Sequence, residues 1–294
     1  MNAAERRVWS RLPAGSREAL EQMSATDLQT LLLSVARTRA AKVRPADVLR
    51  RWQEDRFVRP AAADPRVLAA VEEKLWHLLP GQFDAVELSP VVPVGTCAAV
   101  APVSQNRIVT AMRSVEVVSD SANALAIEAA QRRARQPRGG EVHLAASHRL
   151  LRAQRFGPGM AAHFRLFTLV SSARDVGSGR TQARLVDLHL GYWRRVFAEL
   201  APGAQIRLAV FSPVVRERLD EVLPNQSTVD APDRRRSQGY YVEAAFRFIT
   251  GEGEQLLELG DGGLTTWTAQ LMGNAKERCL VSCGSVERLA TLAR

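Results

Sequence analysis

Beyond residue 80, short apolar runs of strand length alternate with longer stretches of helical periodicity, and this alternation is the strongest constraint on the fold. Runs rich in β-branched and aromatic residues are typical of strands. They fall at residues 84–88, 107–112, 115–118, 142–146, 164–171, 206–211, 240–249 and 279–282. The apolar spacing predicts helices at residues 122–135, 181–200, 265–272 and 286–293. Because strands outnumber helices, the pattern indicates an α+β domain.

The first 59 residues have a different pattern, which predicts a separate helical module. Ser24 followed by Asp27 is a helix-start signal. One face of that helix carries Leu28, Leu31, Leu32 and Val35. A second helix is predicted to begin at Pro45, whose fixed φ suits a first turn. The residues that it is expected to bury are Val48, Leu49 and Trp52.

A linker is predicted at residues 59–65, where Pro60 and Pro65 flank a run of alanines. Asp64 is positioned to cap the next helix. One face of that helix carries Leu68, Val71, Leu75 and Leu78. The chain is thus divided into a helical module at residues 1–59 and one domain at residues 64–294. For the module, packing on the domain is favoured over docking on a polyanion.

Composition limits the class of protein. No apolar stretch approaches the roughly 20 residues of a bilayer span, and the N-terminus lacks the apolar segment of a signal peptide. We therefore expect a cytoplasmic protein without a membrane partner. The cysteines, Cys97, Cys279 and Cys283, lack metal-site spacing and are interpreted as small buried residues in strands, so no metal site is predicted.

The net charge of +9 makes RNA or another polyanion a reasonable partner, because clustered cations neutralise phosphates. The densest basic runs are at residues 132–138 and 234–236. A solvated, arginine-rich surface explains the charge equally well, so both interpretations stay open.

Two neighbouring strand-like runs carry a basic and aromatic pattern. Residues 148–154 have the sequence HRLLRAQ and residues 163–167 have the sequence HFRLF, with a predicted hairpin loop at residues 155–162. The pair resembles motif 2 of the class II aminoacyl-tRNA synthetases, a hairpin that binds ATP. The resemblance implies that Arg149 grips the α-phosphate and that Phe167 stacks on adenine, roles that suit a guanidinium and a planar ring.

Other segments resemble the same family in the same order. FDAVELSP at residues 83–90 resembles motif 1, a strand that ends in proline at the dimer interface. RSQGYYVEAAF at residues 236–246 is similar to a block of the histidyl-type enzymes that supplies an arginine to the α-phosphate and tyrosines to the amino-acid pocket. The stretch at residues 260–263 resembles the glycine-rich strand that follows, and SVERL at residues 285–289 resembles motif 3.

The resemblance, closest to the histidyl type, implies a class II synthetase-like core with an antiparallel sheet flanked by helices. It implies ATP and Mg²⁺ as cofactors, an amino or other carboxylic acid as ligand, and a homodimer formed through the segment that ends at Pro90. ATP would be held by Arg149, Phe167 and Arg288. The catalytic residues would be Arg149, Arg236 and Arg288, with Asp120, Tyr240 and Tyr241 at the substrate.

Several positions depart from the family pattern. Leu151 stands where motif 2 has a carboxylate that recognises the adenine amino group, and Ser285 stands where motif 3 has a glycine. Val118 and Ser119 replace an Arg-Pro pair before the predicted substrate acid. The chain ends six residues after Arg288, so no anticodon-binding domain is expected.

Two functions fit this sequence. One is an enzyme that activates an amino or other carboxylic acid with ATP and passes the acyl group to a small molecule, a carrier protein or an RNA acceptor end. The other is a non-catalytic paralogue that acts as a regulatory subunit, a ligand sensor or an RNA-binding dimer. The three arginines favour the enzyme, because unpaired buried arginines are costly.

Overall fold

The computed structural model describes residues 1–101, 103–136, 139–155, 157, 161–223, 229–230 and 240–293. Its first part consists of the helices α1 (Ala3–Trp9), α2 (Ser16–Gln22), α3 (Ala25–Ala40) and α4 (Pro45–Glu54). As predicted, the side chain of Ser24 caps α3 by accepting a hydrogen bond from the N–H of Asp27. All four helices lie within the described residues, and none of them contains a buried residue.

The expected burial of α4 is therefore wrong. Val48, Leu49 and Trp52 are 54%, 60% and 51% exposed, although the helix begins at Pro45 as predicted. An amphipathic pattern predicts which side of a helix is apolar, but it does not supply the surface that covers that side.

The helix that follows the linker agrees with the prediction. This helix, α5 (Pro65–His77), is capped by Asp64 and buries Leu68, Val71 and Leu75. The later helices are α6 (Thr96–Val100), α7 (Ser121–Arg135), α8 (Arg180–Leu200), α9 (Pro213–Val222), α10 (Trp267–Leu271) and α11 (Val286–Leu292). No helix in the described part of the chain is long and apolar enough to span a membrane.

The strands form two sheets. They are β1 (Asp84–Ala85), β2 (Val91–Pro93), β3 (Thr110–Ala111), β4 (Val115–Val117), β5 (Glu141–Leu151), β6 (His163–Arg174), β7 (Gln205–Val210), β8 (Val229–Asp230), β9 (Ala244–Thr250), β10 (Leu257–Thr265) and β11 (Glu277–Ser285). The larger sheet has the order β1-β5-β6-β11-β10-β9-β7-β8, and the smaller sheet has the order β2-β4-β3. All pairs of the larger sheet are antiparallel except the two at its edges. The predicted α+β class is confirmed.

The two faces of the larger sheet have different surroundings. On one side, here called the helix face, Phe167, Leu169, Phe246 and Phe248 pack against α5, α8 and α11. On the other side, here called the cavity face, Leu144, Ala146, Val170 and Val281 pack against α7. Because strand side chains alternate between faces, the parity of a residue decides which surroundings it meets.

Several predicted boundaries differ from the structure. The run at residues 84–88 gives only the two-residue β1, and the run at residues 107–112 gives the end of a 3₁₀ helix (Gln105–Arg107) and the two-residue β3. Strand β9 begins four residues later than predicted. Helix α9 was not predicted. Part of the expected hairpin loop at residues 155–162 lies outside the described residues.

Strand β10 escapes detection by periodicity because its glycines break the alternation. These glycines serve close packing: a Cβ built on Gly262 would lie 2.4 Å from the ring of Phe246, and one on Gly263 would lie 2.6 Å from the ring of Tyr241. Only the family resemblance predicted a strand here.

Candidate functional site

A cavity of about 930 Å³ opens on the cavity face of the larger sheet. Side chains from β6, β10, β11, α11 and the first turn of α7 line it, and linker residues Ala61, Ala62 and Ala63 border it. Its volume falls in the range of small-molecule sites, roughly 300–1,000 Å³. It is the candidate functional site.

A fixed carboxylate lies in this cavity. Asp120 caps α7, because its Oδ1 accepts a hydrogen bond from the N–H of Ala122 at 2.9 Å. Its Oδ2 accepts a hydrogen bond from the Tyr240 hydroxyl at 3.1 Å. Burial, followed by the charges of Asp120 and Asp261, raises the pKa of Tyr240 well above its usual value, so the hydroxyl remains a donor. The structure thus brings together two residues that the sequence assigned to the substrate.

Tyr241 also lines the cavity. Its ring meets the ring of Tyr240 edge-on at 4.8 Å between centroids. The absence of a side chain at Gly263 lets this ring lie directly on β10. The tyrosine pair is therefore held by packing on a strand rather than by a flexible loop.

Two further polar groups in the cavity escaped sequence analysis. Asp261 lies opposite Cys283 in the β10/β11 pairing, with Oδ1 and Sγ 3.7 Å apart. Burial, followed by the charges of Asp261 and Asp120, raises the pKa of the Cys283 thiol well above its usual value, so the thiol stays neutral. The interpretation of the cysteines is corrected in part: Cys283 is half-buried in the cavity, and Cys97 belongs to α6 rather than to a strand.

Asn123 supplies a hydrogen-bond acceptor beside the predicted acid. This cavity-lining side chain is 1% exposed, and its Nδ2 donates to the Cys97 sulfur at 3.4 Å. Its Oδ1 is buried without a hydrogen-bond partner among the described residues. A buried amide oxygen without a donor is costly, so this atom indicates where a donor group of a ligand would bind.

The structure places Arg149 outside the cavity. Arg149 lies opposite Arg165, whose side chain contacts Glu72 of α5 at 2.9 Å, so both side chains lie on the helix face. Arg149 Nη1 is 2.9 Å from His163 Nδ1, and His163 Nε2 is 2.7 Å from the carbonyl oxygen of Arg59. In this structure Arg149 connects the hairpin to the linker, which does not agree with its predicted position at a phosphate.

Phe167 is also on the helix face. Its side chain has no exposed surface, lies edge-on to Trp76 at 4.6 Å and stacks on Tyr192 at 5.8 Å. A ring enclosed on all sides cannot stack on a nucleotide, so its placement does not agree with the predicted contact with adenine.

Residues three positions from Arg149 and Phe167 along the chain line the cavity instead. Arg152 follows β5 directly, its Nε donates to the carbonyl oxygen of Ser119 at 2.7 Å, and its guanidinium carbon lies 5.1 Å from the Phe164 ring centroid. Gln154 lies two residues beyond Arg152, and all three of these side chains line the cavity. The motif 2 pattern therefore matches the structure when Arg152 takes the arginine position, Gln154 the carboxylate position and Phe164 the aromatic position.

The segment that resembles motif 3 lies at the cavity. Arg288 lines it and donates a hydrogen bond to the carbonyl oxygen of Glu258. Ser285 caps α11 by accepting from the N–H of Arg288 at 3.3 Å, which gives this serine a structural role. The third predicted arginine, Arg236, lies outside the described residues.

Comparison with solved structures identifies the fold as that of class II synthetase cores. The structure is similar to histidyl-tRNA synthetase from S. aureus, with a TM-score of 0.56 and 12% identity over 77% of this chain and 64% of that chain. It is similar to an ATP phosphoribosyltransferase regulatory subunit/histidyl-tRNA synthetase from Bacillus halodurans, with a TM-score of 0.61 and 10% identity over 81% and 83% of the two chains.

A third similar structure is pyrrolysyl-tRNA synthetase from Desulfitobacterium hafniense, with a TM-score of 0.52 and 15% identity over 82% of this chain and 72% of that chain. The match to the staphylococcal enzyme spans 64% of the length of that protein. No protein-family model and no curated protein sequence matches the chain. At these identities the comparisons define the fold alone.

Proposed function

We propose that this chain is a class II synthetase-like enzyme that activates an amino acid, or another carboxylic acid that carries an amine, with ATP. One observation carries the proposal: a single cavity holds the Asp120–Tyr240 pair and the arginines Arg152 and Arg288. Arg152 Nη2 lies 3.9 Å from Asp120 Oδ2, so this combination suits a ligand in which a cationic group and a phosphate lie close together.

Three oxygen-bearing side chains around the start of α7 support binding of the ligand's amine. Asp120 is held in place by a cap and a tyrosine, Asp261 lies on the neighbouring β10, and Asn123 Oδ1 lacks a partner among the described residues. An ammonium group offers three donors and one positive charge, which fits such a group of oxygens. Tyr240 would orient the carboxylate of Asp120 toward it.

The residues present also fit ATP. Arg152 and Arg288 would contact phosphate oxygens, Phe164 would stack on the adenine ring, and Gln154 would hydrogen-bond its edge. The described residues contain no group of three or more His, Cys, Asp or Glu arranged to hold a metal ion. Mg²⁺ commonly binds through substrate phosphates and one or two carboxylates, so it would enter the site with ATP.

In the proposed reaction a carboxylate oxygen of the acid attacks the α-phosphorus of ATP, which gives an acyl-adenylate and releases pyrophosphate. The chain would contribute by orienting the two reactants and by placing guanidinium groups where negative charge develops. No side chain is required as an acid or a base. The acceptor of the acyl group would be a small molecule, a carrier protein or the acceptor end of an RNA.

A homodimer is part of the proposal, since the segment that ends at Pro90 resembles the dimer motif of the family. In the structure the carbonyl oxygen of Pro90 accepts a hydrogen bond from the N–H of Val118, which ties this segment to the chain that leads into Asp120. Sedimentation velocity tests the proposal: a dimer is expected, and a monomer at micromolar concentration would contradict it.

The test of activity is ATP–pyrophosphate exchange with a panel of amino acids, each beside its N-acetyl derivative. We expect exchange with at least one amino acid and none with the derivative, which lacks the charged amine. Asp120→Asn should raise KM for the amino acid at least about tenfold, since it removes one charged contact worth about 1.5–3 kcal/mol. Asparagine still caps a helix, so α7 should persist.

The matched control is Asp187→Asn, which removes a half-exposed carboxylate on α8, 3.7 Å from Arg194. Its KM should equal that of the wild type. Exchange that is equal for the amino acid and its N-acetyl derivative would contradict recognition of the amine. Absence of both exchange and ATP binding would contradict the enzyme altogether.

A non-catalytic ligand sensor or regulatory subunit is the second candidate. It is favoured by Gln154, which stands at the position where the family has a carboxylate, and by Arg288, which donates to the carbonyl oxygen of Glu258 within the chain. This alternative predicts that an amino acid binds in calorimetry while exchange is absent with every acid. The same alternative includes an RNA-binding dimer, for which RNA rather than an amino acid would bind.

A further inference from the structure

Two arginines lie next to the cavity on the same face of the sheet. Arg247 of β9 is paired with Asp261 of β10, and Arg207 of β7 is paired with Arg247. Their neighbours Phe246, Phe248 and Leu208 pack on the helix face, so alternation places both arginines on the cavity face. On the cavity face, Asp261, Arg247 and Arg207 therefore lie side by side on three neighbouring strands.

Asp261 lies across from Arg247 on one side, but a second cation, Arg207, lies across from it on the other side. Like charges directly opposite each other on paired strands are destabilising. Both side chains are half-buried, and the Nε of each is buried without a hydrogen-bond partner among the described residues. An unpartnered, buried Nε also occurs in Arg165, Arg194 and Arg278, but each of these has a carboxylate partner through another nitrogen, at Glu72, Asp187 and Asp175 respectively. Neither Arg207 nor Arg247 forms such an ion pair with a described residue.

We propose that Arg207 and Arg247 form an oxyanion-binding site that holds a carboxylate or a phosphate group. A guanidinium presents several donors in a fixed fork that matches both groups, and two such forks on adjacent strands can bind one anion between them. Bound anion would neutralise the like charges and supply acceptors for the buried Nε atoms. The site differs from the cavity that contains Arg152 and Arg288, because neither Arg207 nor Arg247 lines that cavity.

The position of the site also indicates the class of substrate, and this step rests on the proposed function. Neighbouring strands are about 4.8 Å apart, so the two arginines lie roughly 5 and 10 Å beyond Asp261 along the sheet. A substrate with its amine near Asp120 and Asp261 would reach them with an acidic side chain. The substrate would then be an amino acid that carries a second carboxylate or a phosphate.

The experiment is thermal unfolding of the wild type and of Arg207→Gln and Arg247→Gln with increasing inorganic phosphate or succinate at constant ionic strength. The control is Arg180→Gln, which removes an exposed arginine at the start of α8. We expect a saturable rise in Tm of about 5 °C or more for the wild type and the control. Both variants of the pair should lose this rise. The anion that saturates at lower concentration distinguishes carboxylate from phosphate.

Without added anion at low ionic strength, the two variants should unfold at the Tm of the wild type or above it, because a like-charge contact has been removed. A lower Tm for both would mean that the arginines are structural and would overturn the proposal. An equal anion shift in all four proteins, or no saturable shift in any, would overturn it as well.

If Arg247→Gln fails to fold, Arg247→Lys keeps the charge and loses the fork, and it should weaken anion binding at least about tenfold. Unchanged binding in that variant would overturn the proposal. The assay uses neither ATP nor exchange, so its failure and the failure of the proposed enzyme are separate results.

Discussion

The two faces of the larger sheet use the same kinds of residue for different purposes. On the helix face, Phe167 is enclosed by Trp76 and Tyr192, and Arg149 connects the hairpin to the linker. On the cavity face, Phe164 and Arg152 border an open site. The aromatic residues are three positions apart, as are the arginines, and an odd shift moves a strand residue to the opposite face. Parity in β5 and β6 therefore decides which pair supports the fold and which pair can bind a ligand.

The largest expected effect separates the two aromatic residues. Phe167→Ala should lower the free energy of unfolding by about 3–5 kcal/mol, because it leaves a cavity in the aromatic core of the helix face. Phe164→Ala should cost only about 1 kcal/mol, since the ring is half-buried and little apolar surface returns to water. Urea denaturation of both variants measures this difference. Equal losses of unfolding free energy in the two variants would contradict the distinction between a structural helix face and a ligand-binding cavity face.

The buried histidines of the helix face are expected to make stability depend on pH. His189 Nε2 and His143 Nδ1 each lie 2.8 Å from Ser171 Oγ, and His189 Nδ1 lies 2.8 Å from Ser282 Oγ. Burial, followed by the charge of His143, lowers the pKa of His189 well below the ordinary value of 6.5. Below about pH 6.5 the unfolded chain binds a proton that the folded chain does not bind, so stability is lost as the pH falls.

One such proton lowers the free energy of unfolding by up to about 1.4 kcal/mol for each pH unit below 6.5. Urea denaturation between pH 7.5 and 5 should show this slope, and His189→Gln should reduce it. The exposed His77 provides the control, since His77→Gln should leave the slope unchanged. A wild-type stability that is constant between about pH 6.5 and 5 would contradict the prediction.

The smallest expected effect concerns the cavity face alone. Tyr240→Phe removes the hydroxyl that donates to Asp120 at 3.1 Å and should weaken binding of the amine ligand by about 0.5–1.5 kcal/mol. The ring contacts with Tyr241 and Trp267 remain, so the free energy of unfolding should change by less than about 1 kcal/mol. Calorimetry with the amino acid found by exchange measures the first change, and denaturation measures the second. A large loss of stability would mean that Tyr240 belongs to the core.

The secondary structure could be predicted where periodicity is strong. Helices α7 and α8 and the paired strands β5, β6 and β11 follow from apolar spacing. Strand β10 could be predicted only by family resemblance, since close packing demands glycines there. Helix α9 was missed although Ser212 and Pro213 form a start signal, because the stretch is short and only Val215 and Leu219 of its residues are buried.

The candidate site could be predicted in part. Asp120, Tyr240, Tyr241 and Arg288 reach the cavity, and each lies in a segment that the family resemblance had already singled out. The motif 2 residues were assigned three positions away because each strand offers two arginines or two phenylalanines at this spacing, and the sequence alone does not show which of them is on the cavity face. Asp261 and Cys283 were missed because their pairing across β10 and β11 is visible only in the folded sheet, and Asn123 was missed because only the fold places the first turn of α7 at the cavity.

The most direct test of this account compares ATP binding by Arg152→Gln and Arg149→Gln. Each variant removes one guanidinium of the same hairpin, one from the cavity face and one from the helix face. Isothermal titration with ATP and Mg²⁺ should show binding by the wild type, a loss of at least about tenfold in Arg152→Gln, equal to about 1.4 kcal/mol, and a smaller loss in Arg149→Gln. A larger loss in Arg149→Gln than in Arg152→Gln would contradict the central claim that strand parity places Arg152 at the site.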